Sequence, residues 1–218
     1  MPAPLLTLET GPGSGALRYL ALGDSYTIGE GIEISECWPT QLARALRADG
    51  VAIDDPRTIA QTGWTTDELA AALDAAALAP DFDLVSLLIG VNNQYRERPP
   101  EEYRQQFGAL LQRAIALVRG RGDHVLVLSI PDWGVTPFAG DDARGAQGIG
   151  EAINAFNAVA RAICLQHGAV FVDITPVTRA HGAEPAMLVA DGLHPSAQMY
   201  ARWMQLALPH VHSMQVIS

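Results

Sequence analysis

Leu17-Arg18-Tyr19-Leu20-Ala21-Leu22-Gly23-Asp24-Ser25-Tyr26 is an apolar run that stops abruptly at a glycine, a carboxylate and a hydroxyl. The pattern predicts a buried strand over 17–22 that delivers Ser25 at its end. The same punctuation recurs further on. Residues 82–89 (Phe-Asp-Leu-Val-Ser-Leu-Leu-Ile) are almost continuously apolar and bounded by Gly90, as expected of a strand covered on both faces. His124–Ile130 and residues 169–174 read as two more strands, and a shorter one falls around 51–60.

Helical signals fill the gaps. Trp38, Leu42, Ala45 and Leu46 recur at helical spacing over 38–48, with Ser35 or Glu36 near the start and Gly50 as the stop. Thr65-Thr66-Asp67-Glu68 opens an alanine-rich helix that Pro80 ends. Pro99-Pro100 opens another, running to about Arg119 and closed by Gly120-Arg121-Gly122. A helix over 147–167 stops at Gly168, and a last one runs from Pro195-Ser196 to about Leu208, with Pro209 after it. Strands alternating with helices predict a single domain over 1–218, with 1–16 as an irregular lead-in. Its fold class is α/β: a five-stranded parallel sheet in a three-layer α/β/α arrangement.

Composition narrows the function. Of 218 residues, 49% are hydrophobic and 17% charged, an ordinary globular balance. The formal net charge of −10 argues against a nucleic-acid partner, which needs a basic patch to neutralise phosphates. No apolar run reaches the ~18 residues of a membrane span, so stable membrane insertion is not expected. The two cysteines, Cys37 and Cys164, do not make a disulfide scaffold. The first residues lack a basic segment followed by an apolar one, so a cytoplasmic location is the expectation; a processed secreted form fits the same sequence. No cofactor and no metal are expected, because His124, His167, His181, His210 and His212 show no spacing that demands an ion.

In a doubly wound sheet, ligands bind beyond the carboxyl ends of the strands. Every unusual polar cluster falls there: Gly23-Asp24-Ser25, Gln61-Thr62-Gly63-Trp64, Gly90-Val91-Asn92-Asn93, Pro131-Asp132-Trp133 and Asp191-Gly192-Leu193-His194. Acyl transfer needs these groups. A serine hydroxyl is a poor nucleophile until a base accepts its proton, and His194 is the best candidate base. Asp191, at i−3, can orient the imidazole if the segment turns tightly. Candidate oxyanion donors are the backbone N–H groups of Ser25 and Gly63 and the Asn92 side-chain amide. Trp64, Asn93 and Trp133 are candidate substrate-binding residues, with Phe138 as a further border. The long connection from Pro131 is a candidate specificity element.

The four blocks together resemble the GDSL, or SGNH, family of serine esterases and lipases. Gly-Asp-Ser with Ser25, the turn with Gly63, Gly-x-Asn with Asn92 and Asp-x-x-His with Asp191 and His194 follow in the family's order over nearly the whole chain. The resemblance implies a flavodoxin-like fold and metal-independent hydrolysis of ester or thioester bonds in small to medium acyl substrates. It also implies that Ser25, Gly63 and Asn92 line the oxyanion hole. The chain departs from the pattern in reading Gly-Asp-Ser-Tyr, in Gln-Thr-Gly-Trp without an upstream asparagine, and in Asn93 where aspartate is frequent.

Taken singly, each residue has a plainer explanation. Ser25 could be a helix-capping serine, Asp191-Gly192 a turn, His194 a surface histidine before a proline, and Asn92 a turn residue. Asp24 reads as a structural carboxylate. Two other functions compete with hydrolysis. One is acyl transfer to an alcohol on the same residues; the other is a non-catalytic flavodoxin-like binding protein. Ser25-Tyr26-Thr27-Ile28-Gly29 bears only a faint likeness to a phosphate loop and leaves Asp191 and His194 unexplained.

Overall fold

The apolar run at the start of the chain forms β1 (Tyr19–Gly23), every residue of which is buried. A four-residue helical turn, α1 (Ser25–Ile28), and then α2 (Trp38–Ala48) follow. Next come β2 (Arg57–Ala60), α3 (Thr66–Ala76), β3 (Leu84–Leu88) and α4 (Val91–Tyr95). The second half carries α5 (Pro100–Leu117), β4 (Val125–Leu128), α6 (Gly145–His167), β5 (Val170–Val172), α7 (Thr175–His181) and α8 (Ala197–Ser213). The computed structural model describes residues 15–214, so most of the lead-in read at 1–16 lies outside the described residues.

All strand pairs are parallel, in the order β2-β1-β3-β4-β5. This is the flavodoxin-like order, with the chain reversing direction across the sheet between β1 and β3. The central strands β1, β3 and β4 are buried throughout, which explains their uninterrupted apolar sequences. Helix α2 packs on α8 across one face, while α5 packs on α3 and α6 across the other. The first layer buries Trp38, Leu42 and Leu46 with Tyr200 and Trp203. In the second, Tyr103 stacks obliquely on Phe107 and Phe156, with centroids 5.3 and 4.7 Å apart.

The five long helices fall where the sequence places them, but their ends move. Cys37, not Ser35 or Glu36, caps α2, because Ile34–Glu36 forms a separate 3-10 turn. Glu68 reaches back to the Thr65 backbone N–H (2.8 Å), the capping arrangement expected from Thr65-Thr66-Asp67-Glu68. The alanine-rich helix ends at Ala76, ahead of Pro80, with Ala77 in a left-handed conformation (φ 44°). Helix α8 runs through Pro209 instead of stopping near Leu208. A mid-helix proline forfeits one backbone hydrogen bond. Here Val211 and Met214 are buried beyond it and His212 Nε2 sits 2.9 Å from Asp49 Oδ2, so the last turn is anchored rather than frayed. Three short helices, α1, α4 and α7, have no counterpart in the sequence reading. Cys37 and Cys164 are free and buried. Among the described residues no helix is long and apolar enough to cross a membrane.

One side chain ties the sheet's working edge to a helix. Asn157 on α6 accepts from the Ile130 backbone N–H (2.8 Å) and donates to the Ile130 carbonyl (3.1 Å), imitating a neighbouring strand just past β4. Ile130 is 2% exposed, so neither backbone group has water as a substitute. Asn157→Ala leaves the N–H unpaired, while the carbonyl keeps the Thr175 hydroxyl at 2.9 Å, and is expected to cost about 1–3 kcal/mol for the one buried orphan. Urea unfolding measures the loss, and a change under 1 kcal/mol would contradict this account.

Candidate active site

Ser25 is the first residue of α1, immediately after the strand-end pair Gly23-Asp24. A β-carbon on Gly23 would overlap the Thr27 hydroxyl and the Leu88 carbonyl, so only glycine lets the chain turn this tightly against β3. Asp24 caps the turn, its Oδ1 accepting from the Tyr26 N–H (3.0 Å). At the far end Gly29 closes it in a left-handed conformation (φ 78°), donating to the Ser25 carbonyl at 3.1 Å. The backbone position of Ser25 is therefore fixed by these turns. Its own N–H, the first of a helix, has no intrahelical acceptor.

Asp191 and His194 lie on a tight hairpin between α7 and α8, pinned by an antiparallel bridge between Leu188 and Pro195. Asp191 Oδ1 accepts from the Leu193 and His194 backbone N–H groups at 2.8 and 2.9 Å. Gly192 supplies the turn at φ 70°. This geometry carries Asp191 Oδ2 to 2.6 Å from His194 Nδ1 and leaves Nε2 as the imidazole's free edge. Burial acts to raise the Asp191 pKa, but the hydrogen bonds from His194 and Leu193 outweigh it and hold the carboxyl below its usual value. The Tyr26 ring packs against the imidazole, with centroids 5.7 Å apart, and braces it from behind through a T-shaped contact with Trp203.

Ser25 and His194 border one cavity of about 200 Å³, together with Tyr26, Thr62, Gly63, Val91, Asn92, Tyr95, Trp133, Phe138 and Leu193. The fold thus gathers Ser25, Gly63, Asn92, Trp133 and His194 from five separate loops, with Asp191 behind the histidine. Ser25 Oγ and His194 form no direct hydrogen bond, a contact that commonly tightens only when substrate binds. Gly63 adopts φ 84° and, like Ser25, keeps its N–H unengaged among the described residues. Asn92 Nδ2 donates one hydrogen to the Trp64 carbonyl (2.9 Å), which orients the amide and leaves its second N–H free.

Two candidates fall elsewhere. Asn93 is fully buried: its Oδ1 accepts from the Thr66 N–H (3.0 Å) and its Nδ2 donates to Thr66 Oγ1 (2.7 Å). It fastens α4 to the start of α3 and does not reach the cavity, because the turn that aims Asn92 outward aims its neighbour inward. The Trp64 side chain packs against the core, and only its backbone serves the site. The sequence reading missed Tyr26 and Tyr95. Tyr95 sits three residues past Asn92, one helical turn on, a signal visible only once 91–95 is recognised as helix. A larger hollow of about 400 Å³ lies at the far edge of the sheet, between the C-terminal ends of α3 and α5. Its two charged lining residues, Asp74 and Arg113, pair with each other at 2.6 Å. No group of three or more metal-binding side chains occurs among the described residues.

A profile of the GDSL-like lipase/acylhydrolase family matches residues 21–202. Among solved structures, TesA is similar with a TM-score of 0.70 at 24% identity, over 90% of this chain and 99% of that one. A lipase/acylhydrolase from Enterococcus faecalis gives 0.66 at 21% identity, over 89% of this chain and 95% of that one. An acetyl xylan esterase from Geobacillus stearothermophilus gives 0.68 at 18%, over 93% and 97% respectively. At these identities the likeness concerns the fold. No curated protein sequence matches the chain.

Asp24 differs sharply from Asp191. It is completely buried, its Oδ2 has no partner among the described residues, and burial pushes its pKa up to about 7. An unfolded chain releases that proton at the ordinary aspartate value near 4. Between the two values the native state holds a proton that the unfolded state has lost, so folding becomes less favourable as pH rises through this window. Relative to Asp24→Asn, the wild-type protein is expected to lose stability from about pH 4 to about pH 7. Chemical denaturation at three pH values checks this; parallel curves for the two proteins would contradict it.

Proposed function

We propose that this chain, which belongs to the GDSL-like lipase/acylhydrolase family, is a serine esterase that hydrolyses short acyl esters through an acyl-enzyme on Ser25. The observation that carries the reading is the 2.6 Å contact between Asp191 and His194 Nδ1, which leaves the opposite imidazole nitrogen to the cavity that Ser25 borders. With Nδ1–H held by a carboxylate, Nε2 is the basic nitrogen and takes the Ser25 proton as Oγ attacks the acyl carbon. The imidazolium formed is stabilised by Asp191 and returns the proton to the departing alcohol. Water then repeats the sequence on the acyl-enzyme, with His194 again as base.

The oxyanion formed in both steps meets three donors: the N–H groups of Ser25 and Gly63 and the free amide hydrogen of Asn92. Donors fixed before the reaction need no reorganisation as charge develops, which is why each is worth on the order of 3 kcal/mol of barrier. The acyl group lies toward Tyr95, Trp133 and Phe138. A cavity of about 200 Å³ is small beside ordinary ligand pockets of roughly 300–1,000 Å³, which favours acetyl to butyryl groups.

Turnover of p-nitrophenyl acetate and butyrate is expected to exceed that of octanoate, and to fall by several orders of magnitude in Ser25→Ala. A serine-directed phosphonate should label Ser25 alone. Equal activity in wild type and Ser25→Ala would falsify the nucleophile assignment.

Asp191→Asn is expected to lower kcat by on the order of 10²–10⁴-fold while leaving phosphonate access to Ser25 intact.

A further inference from the structure

The aromatic wall of the cavity is backed by a guanidinium. Tyr95, Trp133 and Phe138 cluster with ring centroids 5.4, 6.4 and 6.1 Å apart. Trp133 is 2% exposed whereas Tyr95 and Phe138 are 47% and 45% exposed, so the tryptophan forms the floor and the other two stand at the mouth. Arg144 does not border the cavity. Its Cζ lies 5.2 Å from the Trp133 ring centroid and 5.9 Å from that of Tyr95, spanning both rings.

The orientation of that guanidinium is fixed. Arg144 Nε and Nη2 donate to the two oxygens of Asp142 at 2.9 and 2.7 Å, and its backbone N–H donates to Oδ1 at 2.9 Å. The hydrogen bonds and charge of Arg144 hold the Asp142 carboxyl down to about 2, so the pair is ionised at neutral pH. Glu97 Oε1 lies 3.8 Å from Nε, and Nη1 donates to the Gln94 carbonyl at 3.4 Å. Gln94, buried on α4, accepts from Trp133 Nε1 with its own side chain at 2.8 Å. The loop after β4 and helix α4 are thereby joined behind the wall: Asp142 to Arg144, Arg144 to Gln94, Gln94 to Trp133.

We propose that Arg144 is a positioning residue for acyl-chain selectivity: by clamping Tyr95 over Trp133 it keeps the pocket short and excludes longer chains. Half-exposed Tyr95 has no hydrogen bond to hold it, so the cation stacked on it is its principal restraint on that side. A lysine in this place would keep the charge but lose the flat, forked group that spans two rings and pairs with Asp142. The proposal rests on the esterase reading, since selectivity is measured through ester turnover.

The test compares wild type, Arg144→Ala, Arg144→Lys and a surface control, Arg104→Ala on α5, with p-nitrophenyl acetate, butyrate and octanoate. In Arg144→Ala the octanoate-to-acetate ratio of kcat/KM is expected to rise about tenfold, chiefly through a lower octanoate KM. Arg144→Lys should recover part of the wild-type ratio, and Arg104→Ala all of it. Acrylamide quenching of tryptophan fluorescence should increase in Arg144→Ala, because Trp38 and Trp203 are fully buried and half-buried Trp64, away from Arg144, gives the same signal in both proteins, while Trp133 loses its cover. An unchanged ratio, or an equal loss on all three esters, overturns the selectivity role. If the wild-type protein hydrolyses no ester, the esterase reading falls. Quenching then judges the brace by itself: an increase upholds the clamp, and no increase overturns it.

Discussion

The close approach of β1 to β3 at Gly23 is the contact on which the rest of the site depends. No other residue fits between the Thr27 hydroxyl and the Leu88 carbonyl, so the chain can leave the strand and enter a helix within two residues. That abrupt change does two things at once. It sets the Ser25 hydroxyl at the rim of the sheet, and it makes Ser25 the first residue of a helix, whose N–H has no partner inside it. A gentler turn would have supplied a serine without the donor beside it. The next strand over, β3, is followed by Gly90 at φ 124°, against whose Cα the Tyr103 ring is packed, and the turn there delivers Asn92 to the same place. The two loops flank the reversal of strand order, where neighbouring connections run to opposite faces of the sheet and leave a crevice between them.

The carboxylates near Ser25 show how one residue type is pushed in opposite directions within a small volume. Asp24 is buried without a counter-ion and is pushed toward its neutral form. Asp191 is reached by water and by three N–H groups, and it remains an anion. In the proposed esterase reaction a second negative charge beneath the serine would oppose the oxyanion, whereas the charge behind the imidazole would stabilise His194 as it takes the proton. The protein's overall net charge of −10 says nothing about this local division, since surface charges are screened over about 10 Å.

Much of this was legible in the sequence because the chemistry sits where regular patterns break. Apolar strands ending in Gly-Asp-Ser or Gly-x-Asn announce both the strand and the rim, and Asp191-x-x-His194 needs only a local turn to meet. Five parallel strands and five long helices followed from periodicity. What stayed hidden depends on contacts between distant segments. Asn92 and Asn93 are chemically identical neighbours, and only the short helix α4 decides that one faces the cavity and the other clasps Thr66. Trp64 and Trp133 read alike, yet one packs on the core and the other floors the pocket. Pro209 gave a strong stop signal, overruled by the burial of Val211 and Met214 beyond it.

The site is divided between two kinds of support, with different consequences for change. Ser25, Gly63 and Asn92 are held by backbone turns and by a side chain bonded to a backbone carbonyl, on the loops of β1, β2 and β3. Among the described residues, the one exposed side chain bonded to this half is Arg96, whose Nη2 donates to the Gly63 carbonyl at 2.8 Å. The wall formed by Tyr95, Trp133 and Phe138 is different: it spans the β4 loop and α4 and is held by one hydrogen bond, one stacked cation and mutual ring packing. Interactions of that kind break one at a time. On the proposed function, substitutions in the long connection after β4 can therefore reshape the acyl side without disturbing the turns that hold Ser25, Gly63 and Asn92.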